Sequence, residues 1–420
     1  MLNYLKRLSE FSILKDVSWY TLSQIFIQSA AFFSAIIVTR YLGPINLGLY
    51  GFVQSYVATT LTVVSGVDFY FTWKIAKSDN FFRDIQEAMG YKLSINILFS
   101  ILGIGSAWAV LPADVAFMVT IMLAPMFLSS FNVFSFYALA KNKAKLISII
   151  YVISSITIFL TKLGLVFIKA PLYAFVIVAA IDMLLTGTIL TLYFLRDKEW
   201  EGVISTLKIP SFFKSVTFLY SVKSSILALV CWQLLQRVDQ LLLATISNAY
   251  NLGIYVSAVK IAEVPNFLAG VLSSALISRM AYVAVNNDDK SKGNLRKIMF
   301  SYLGVGSLIA LMIVVFAPLA VHILYGARFA ESIPVLQAYA LSIPGMYMNY
   351  FFLGMYGARD RQHHQVGIFG AAVLVNVILI YVLTPMYGLV GTAFATVVAY
   401  SFSALLFYIN LDNKKHHGTN

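Results

Sequence analysis

The chain has 420 residues, of which 60% are apolar, 15% aromatic and only 11% charged. Soluble globular domains are about 45–50% apolar and about 25% charged, so the composition argues against a water-soluble protein. The net charge of +12 does not indicate a nucleic-acid binder, because the basic residues lie in short clusters between apolar stretches. The single cysteine, Cys231, excludes an internal disulfide and a cysteine-based metal cluster.

Apolar stretches long enough to cross a bilayer recur along the whole chain. A transmembrane helix needs about 20 mostly apolar residues, and the sequence predicts twelve of them. The first is longer than the apolar region of a signal peptide and is followed by the others, so we interpret it as a retained helix. The predicted spans are 18–39, 48–72, 91–111, 115–139, 146–168, 172–195, 220–245, 252–276, 299–324, 333–356, 365–384 and 387–409.

The basic residues predict the orientation of these spans. With a cytoplasmic N-terminus, 24 of the 30 Lys and Arg residues fall on the cytoplasmic side or its flanks, Arg40, Lys169 and Arg328 fall on the other side, and Lys162, Arg237 and Lys260 lie inside spans. This is the bias that the positive-inside rule describes. Both termini are therefore predicted to be cytoplasmic.

Short motifs that occur twice divide the sequence into two halves. The "NLGLY" motif after the first span returns as "NLGIY" after the seventh, and the "PLY" that opens the sixth span returns as "PMY" at the twelfth. Six spans per half place both halves in the same orientation, as parallel repeats of a secondary transporter. We expect an N-terminal bundle over 1–195, a cytoplasmic amphipathic linker over 196–219, a C-terminal bundle over 220–410 and a disordered polar tail over 411–420.

The linker has regularly spaced apolar residues. Trp200, Val203, Ile204 and Leu207 recur at helical intervals, which indicates an amphipathic segment leading into the seventh span.

Charged residues inside the spans are the candidate functional residues, because each costs about 2.5–3.5 kcal/mol at a helix centre on insertion scales. Lys260 and Glu263 are three residues apart and can pair on one helix face. Arg237 and Asp239 are two apart and must point in different directions, which leaves an arginine to address an anion. The others are Lys162 and Asp182, and Arg40 lies at the end of the first span.

For each of these residues a structural role competes with a functional one. Asp182 and Glu263 suit either structural ion pairs or proton or sodium coupling, and Arg40 suits simple solvation at a helix end. We found neither a phosphate-binding loop of the GxxxxGK[ST] type nor a metal-binding histidine pattern. We therefore expect no cofactor and no enzymatic activity.

Three longer stretches, 39–55, 236–276 and 325–361, together resemble the polysaccharide-transporter family, the Wzx-type O-antigen flippases of the MATE-like exporter superfamily. The resemblance implies an all-α membrane protein with two six-helix repeats in a bacterial inner membrane. It also implies transport of undecaprenyl-pyrophosphate-linked oligosaccharide between leaflets, in lipopolysaccharide or related polysaccharide biosynthesis. A polysaccharide polymerase and a chain-length regulator are the partners that it suggests.

The same resemblance implies a cationic central cavity. The positions that match it are Arg237 with Asp239 in "QRVDQ" and Lys260 with Glu263 in "VKIAE". We expect Arg237, Lys260, Lys162 and Arg40 to bind pyrophosphate, and Asp239, Glu263 and Asp182 to serve ion coupling or pairing.

Two other transporters stay open as alternatives. A drug exporter for organic cations should carry an acid in its first span, yet 18–39 has none. A lipid II flippase usually has fourteen spans and basic residues early in the chain, so that alternative ranks second. A membrane glycan polymerase or ligase is disfavoured because the predicted outer loops are short.

Overall fold

The structure, a computed structural model, describes residues 2–76, 78–141, 143–196, 198–200, 202–273, 289–358 and 362–412, and within these ranges every regular element is helical. The α-helices are α1 Leu2–Ala76, α2 Phe81–Val110, α3 Ala113–Leu123, α4 Phe134–Ala140, α5 Ala144–Phe167, α6 Leu172–Phe194, α7 Phe212–Ser221, α8 Lys223–Ile246, α9 Ala249–Glu263, α10 over 266–273, α11 Asp289–Leu324, α12 Ser332–Ala340, α13 Ile343–Ala358 and α14 Gln362–Asp412. The predicted polar tail lies outside the described residues beyond Asp412.

Nine helices in the described part of the chain are long and apolar enough to cross a membrane. Two of them, Leu22–Thr72 and His363–Asn410, are 51 and 48 residues long, about twice the length that one crossing needs. The chain is therefore a multi-span membrane protein, while the number of twelve spans stays a prediction.

Both double-length helices are kinked at a glycine within three residues of a proline. Gly43 has φ 69° and Gly388 has φ 59°, both in the left-handed region, which glycine adopts without the steric cost of a Cβ. Pro44 and Pro385 lie within the same helices and remove a backbone donor there. Gly43 lies in the gap between predicted spans one and two, whereas Pro385 lies in the gap between spans eleven and twelve and Gly388 is the second residue of predicted span twelve.

The helices form two compact units. Unit 1 contains Met1–Tyr41 and Tyr56–Ile226, and unit 2 contains Leu42–Ser55 and Leu227–Asn420. The segment that follows the Gly43 kink thus belongs with the second unit, and the linker between predicted spans six and seven belongs with the first.

In unit 1 the linker packs into the apolar core. Trp200 is buried with its ring centroid 4.8 Å from that of Tyr137 and 5.3 Å from that of Phe134. Val203 is also buried in this cluster. The helical spacing of Trp200–Leu207 does not produce a continuous helix: Lys198–Trp200 is a short 3₁₀ helix and the residues from 202 to 206 form turns. Gly202, at φ 83°, allows the chain to turn there.

A long 3₁₀ helix, Ala124–Val133, interrupts unit 1 between α3 and α4. Runs beyond three or four residues are uncommon in this conformation. Asn96 on α2 donates from Nδ2 to the hydroxyl oxygens of Ser129 and Ser130 at 3.2 and 2.9 Å, and Thr191 on α6 donates to the carbonyl oxygen of Phe131 at 2.8 Å. Polar contacts from two neighbouring helices therefore hold this segment in place.

In unit 2 the two copies of the repeated motif pack directly against each other. A Cβ atom built on Gly48 would lie 2.0 Å from the carbonyl oxygen of Ala249, and one on Gly253 would lie 1.8 Å from that of Pro44. The backbones of the post-kink part of α1 and of α9 thus touch at both glycines. This close contact gives the physical reason for the glycine in "NLGLY" and in "NLGIY".

Candidate functional site

Four of the seven predicted site residues come together in unit 2, on α8 and α9. Arg237 and Asp239 lie on α8, and Lys260 and Glu263 lie in the last turn of α9. The helix ends at Glu263, and α10 resumes at 266 after Pro265. Discontinuous helices of this kind place polar groups at membrane depth in many transporters.

The helix break is stabilised by a polar contact from another helix. The hydroxyl of Tyr347 on α13 donates to the carbonyl oxygen of Pro265 at 2.6 Å. The same carbonyl oxygen also accepts a hydrogen bond from the backbone N–H of Leu268 at 3.0 Å, so its polar group is paired in an apolar medium. The interruption beside Glu263 is therefore a supported feature of unit 2.

Arg237 forms an ion pair with Glu263. Its Nη1 atom donates to both carboxylate oxygens, each at 3.1 Å, and both side chains are largely buried. Because both hydrogen bonds leave from one nitrogen, this is not the fork geometry in which arginine grips a carboxylate or phosphate with two nitrogens. The sequence placed Glu263 near Lys260 by spacing, whereas the contact that the structure defines joins it to α8.

Lys260 lies one turn before Glu263 and faces the repeated motif of α1. Its Nζ atom is 5.5 Å from the ring centroid of Tyr50, which is a cation–π distance. A cation in the last turn also interacts favourably with the helix dipole. Lys260 and Arg237 thus place two positive charges around the end of α9.

Asp239 is fully buried and is held from three helices. Its Oδ2 atom accepts hydrogen bonds from the hydroxyl of Tyr255 on α9 at 2.7 Å and of Thr396 on α14 at 3.4 Å, and its Oδ1 atom accepts one from the backbone N–H of Gln240 at 2.7 Å. Asp239 and Arg237, two residues apart on α8, thus have different hydrogen-bond partners. Hydrogen bonding of this kind is what makes a buried carboxylate tolerable.

Further buried hydroxyl groups lie close to Asp239. The ring of Tyr339 is 6.1 Å from that of Tyr255, edge to face, and Tyr400 follows Thr396 by one helical turn. Both hydroxyls are buried and make no hydrogen bond within the described part of the chain. The neighbourhood of Asp239 therefore offers oxygen ligands for a small cation or a water.

In unit 1, two other predicted site residues form a pair. Lys162 on α5 approaches Asp182 on α6, with Nζ 3.3 Å from Oδ2. Asp182 is about half exposed, with a side-chain exposure of 47%, so the pair lies at the surface of the unit. Arg40, the remaining predicted residue, lies in unit 1 three residues before the Gly43 kink.

Unit 1 contains a second ion pair, which the sequence does not predict. Lys92 on α2 is almost fully buried, and its Nζ atom is 2.6 Å from Oδ1 of Asp68 on α1. The missed signal is that Lys92 and Asp68 lie at the same predicted end of adjoining spans.

Unit 2 also contains a cavity of about 520 Å³ near the kink of α14. Its polar lining comes from Ser247, Asn251, Glu331 and Thr384, and none of the predicted site residues lines it. No group of three or more potential metal ligands occurs among the described residues.

Together, two helical units, discontinuous membrane helices and charged pairs at membrane depth define a polytopic α-helical protein of the transporter type. A family model described as "Polysaccharide biosynthesis protein" matches residues 13–281. This is more than half of the chain, and the protein therefore belongs to that family. No curated protein matches the chain by sequence.

Solved structures show the same fold. The lipid II flippase MurJ in an inward closed conformation matches with a TM-score of 0.72 at 15% identity, over 94% of this chain and 87% of that one. An inward-facing multidrug resistance MATE family transporter of the MOP superfamily matches with a TM-score of 0.68 at 14% identity, over 92% and 93%. A eukaryotic MATE transporter matches at 0.58 and 14%, over 96% of each chain. The predicted MATE-like, all-α membrane fold is confirmed.

Proposed function

We propose that the protein is a flippase that moves undecaprenyl-pyrophosphate-linked oligosaccharide, an O-antigen or related repeat unit, from the cytoplasmic to the periplasmic leaflet of a bacterial inner membrane. Its family membership and its MurJ-like and MATE-like fold support transport of a lipid-linked glycan. Alternating access coupled to H⁺ or Na⁺ is the mechanism that such a fold favours. Chemistry on the glycan belongs to other proteins, with a polymerase and a chain-length regulator as the partners.

The Arg237–Glu263 pair is the observation that carries the proposal. A pyrophosphate group cannot cross hydrocarbon without replacement of its hydration, and arginine is well suited to bind phosphate. Only Nη1 of Arg237 donates hydrogen bonds to Glu263, which leaves its second terminal nitrogen without a bond to that carboxylate. Lys260, one turn before Glu263, adds a second positive charge.

Glu263 has a defined part in this proposal. While no cargo is bound, it neutralises Arg237 and limits the cost of a charge at membrane depth. Pyrophosphate then competes with the carboxylate for the same guanidinium. Exchange of one anionic partner for another lets the site bind the cargo and also release it.

Asp239 is the proposed ion-coupling residue. It is a buried carboxylate surrounded by hydroxyl groups of Tyr255 and Thr396, and oxygen ligands are those that hard cations prefer. A proton or Na⁺ bound there neutralises the charge and removes the electrostatic penalty of burial. Asp182, already paired with Lys162 at a surface, is less suited to that role.

The cargo is tested by removing the gene and measuring lipid-linked repeat units in the cytoplasmic leaflet. We expect them to accumulate while surface polysaccharide disappears. The purified protein in proteoliposomes should then move a fluorescent polyprenyl-pyrophosphate oligosaccharide between leaflets. Unchanged surface glycan would instead support a drug or another lipid as cargo. Accumulation of lipid II with intact surface polysaccharide would support the second alternative, which the MurJ-like fold also favours.

The anion site is tested by separating its structural role from its binding role. Arg237→Met leaves Glu263 as a buried unpaired charge, so both abundance and export should fall. In the double variant Arg237→Met/Glu263→Met no unpaired charge remains, and apolar replacement of a buried pair is often neutral for stability. We expect normal abundance but at least tenfold slower export. Arg328→Met, at an exposed site, is the matched control. Wild-type export by the double variant would show that Arg237 does not bind the cargo.

A further inference from the structure

Helix α7 is a separate short helix in front of α8, and one of its faces packs on unit 1. Ser215 is buried and shares a hydrogen bond with Ser94 on α2 at 2.8 Å. Phe218 lies with its ring centroid 4.5 Å from that of Tyr91 and 5.5 Å from that of Phe71. The helix therefore has a fixed rotation about its axis relative to the rest of unit 1.

A second face of α7 is apolar and exposed. Phe212, Val216 and Tyr220 recur at intervals of four residues, so they share one side of the helix. All three are exposed, as is Phe213, at 80%. Aromatic side chains with a polar tip, such as Tyr220, are enriched where a bilayer meets water.

The third face of α7 is polar and basic. Lys214, Thr217 and Ser221 lie on the side opposite to Phe212, and all are exposed. Lys208 and Lys223 flank the helix, also exposed, while the sequence holds no acidic residue from 202 to 238. Nothing in this stretch neutralises the three positive charges.

The helix that follows α7 is long enough to cross a membrane by itself. The 24 residues of α8 extend about 36 Å, which already exceeds the roughly 30 Å of hydrocarbon. Since α8 starts at Lys223 and α7 ends at Ser221, α7 is not needed inside the hydrocarbon. A helix with one apolar and one lysine-rich face directly before a membrane helix has the pattern of an interfacial helix.

We propose that α7 is an in-plane anchor that binds anionic phospholipid, with Phe212, Val216 and Tyr220 among the upper acyl chains and Lys208, Lys214 and Lys223 on the phosphate groups. The positive charge selects an anionic surface over a zwitterionic one. This inference does not depend on the identity of the transported cargo. It assigns to the linker a lipid sensitivity that the transport site itself does not require.

The position of α7 is tested with spin labels in proteoliposomes. Cys231 is the only cysteine, so a Cys231→Ser background accepts single labels at Phe212→Cys and Ser221→Cys, nine residues apart and thus on opposite sides of the helix. We expect the label at 212 to collide with membrane-soluble oxygen and the label at 221 with a water-soluble nickel chelate. Aqueous exposure of both labels would overturn the proposal. The proposal would also be overturned if the label at 212 were shielded from water in native membranes but not in proteoliposomes. In that case another protein, and not lipid, would cover that face of α7.

The lipid class is tested by thermal stabilisation in mixed micelles. Phosphatidylglycerol should stabilise the wild-type protein more than phosphatidylcholine does. The variant Lys208→Gln/Lys214→Gln/Lys223→Gln should need about tenfold or more phosphatidylglycerol for the same stabilisation. The control Lys169→Gln/Lys198→Gln/Lys297→Gln removes the same charge at other exposed sites. Equal responses of the two variants would show that these lysines do not select the lipid.

Discussion

The backbone contact between the repeated motifs predicts a large effect for the smallest possible substitution. In Gly253→Ala, the added methyl group would lie 1.8 Å from the carbonyl oxygen of Pro44, whereas real Cβ atoms essentially never come within 3.0 Å of a neighbour. The helices must therefore move apart by about 1.2 Å. Because the obstructing atom belongs to the backbone, no side-chain rotation relieves the clash.

The size of the destabilisation follows from the packing contacts that the helices lose when they move apart. A radial gap of about 0.5–1 Å already forfeits a quarter to a half of the dispersion energy of each contact, and overpacking typically costs about 1–3 kcal/mol. Alanine returns up to about 1 kcal/mol through its higher helix propensity. We expect a net destabilisation of about 2 kcal/mol or more for unit 2, which contains both partners of the contact.

The assay compares apparent melting temperatures in detergent by fluorescence-detected size-exclusion chromatography. Gly253→Ala should melt roughly 5 °C or more below wild type. Gly304→Ala is the matched control: Gly304 lies inside α11, and a Cβ there meets nothing within 4 Å. It should melt at or slightly above the wild-type temperature. Equal melting of the two variants would refute the argument from backbone contact.

Three further predictions concern side chains. Tyr255→Phe removes the 2.7 Å hydrogen bond to Asp239, and a hydrogen bond to a charged group contributes about 1.5–3 kcal/mol. Transport in a liposome flux assay should therefore show an altered dependence on pH or Na⁺. An unchanged profile would contradict the coupling role of Asp239. Trp200→Ala removes a buried ring and should cost about 3–5 kcal/mol, which accelerates tryptic cleavage of the linker relative to the exposed control Trp108→Ala. Lys92→Met leaves Asp68 without its 2.6 Å partner and should lower abundance in immunoblots, whereas Lys92→Met/Asp68→Leu should restore it.

The features that the sequence predicted correctly depend on local chemistry. Apolar length defines the membrane helices. The helical spacing in the linker was misleading because it was not weighed against the helix-breaking residues nearby. Gly202 turns the chain after Trp200, and Pro210 cannot donate a helical hydrogen bond, so both breaking signals were present in the sequence. Helical periodicity predicts a helix only where no helix-breaking residue interrupts it.

The charged pairs were harder to predict because they join helices. Spacing placed Glu263 beside Lys260, since residues three apart share a helix face. The structure ends α9 at Glu263, and the carboxylate then meets Arg237 from α8. The same limit applies to Lys92 and Asp68, which are close only because α1 packs on α2. A single sequence carries the periodicity of each helix but not the rotation of one helix against another.

The repeated motif connects packing with the charged site. In each copy a tyrosine follows the close-packed glycine by two residues, and each tyrosine contacts a different charge: the ring of Tyr50 lies against Lys260, and the hydroxyl of Tyr255 binds Asp239. The glycine contact fixes the two helix backbones, and the tyrosines thereby fix one proposed anion-binding cation and the proposed coupling acid. A methyl group at Gly48 or Gly253 should therefore disturb both charges together. The motif shared by NLGLY and NLGIY is too short to establish a repeat by itself, but the geometry of the site explains why it occurs twice.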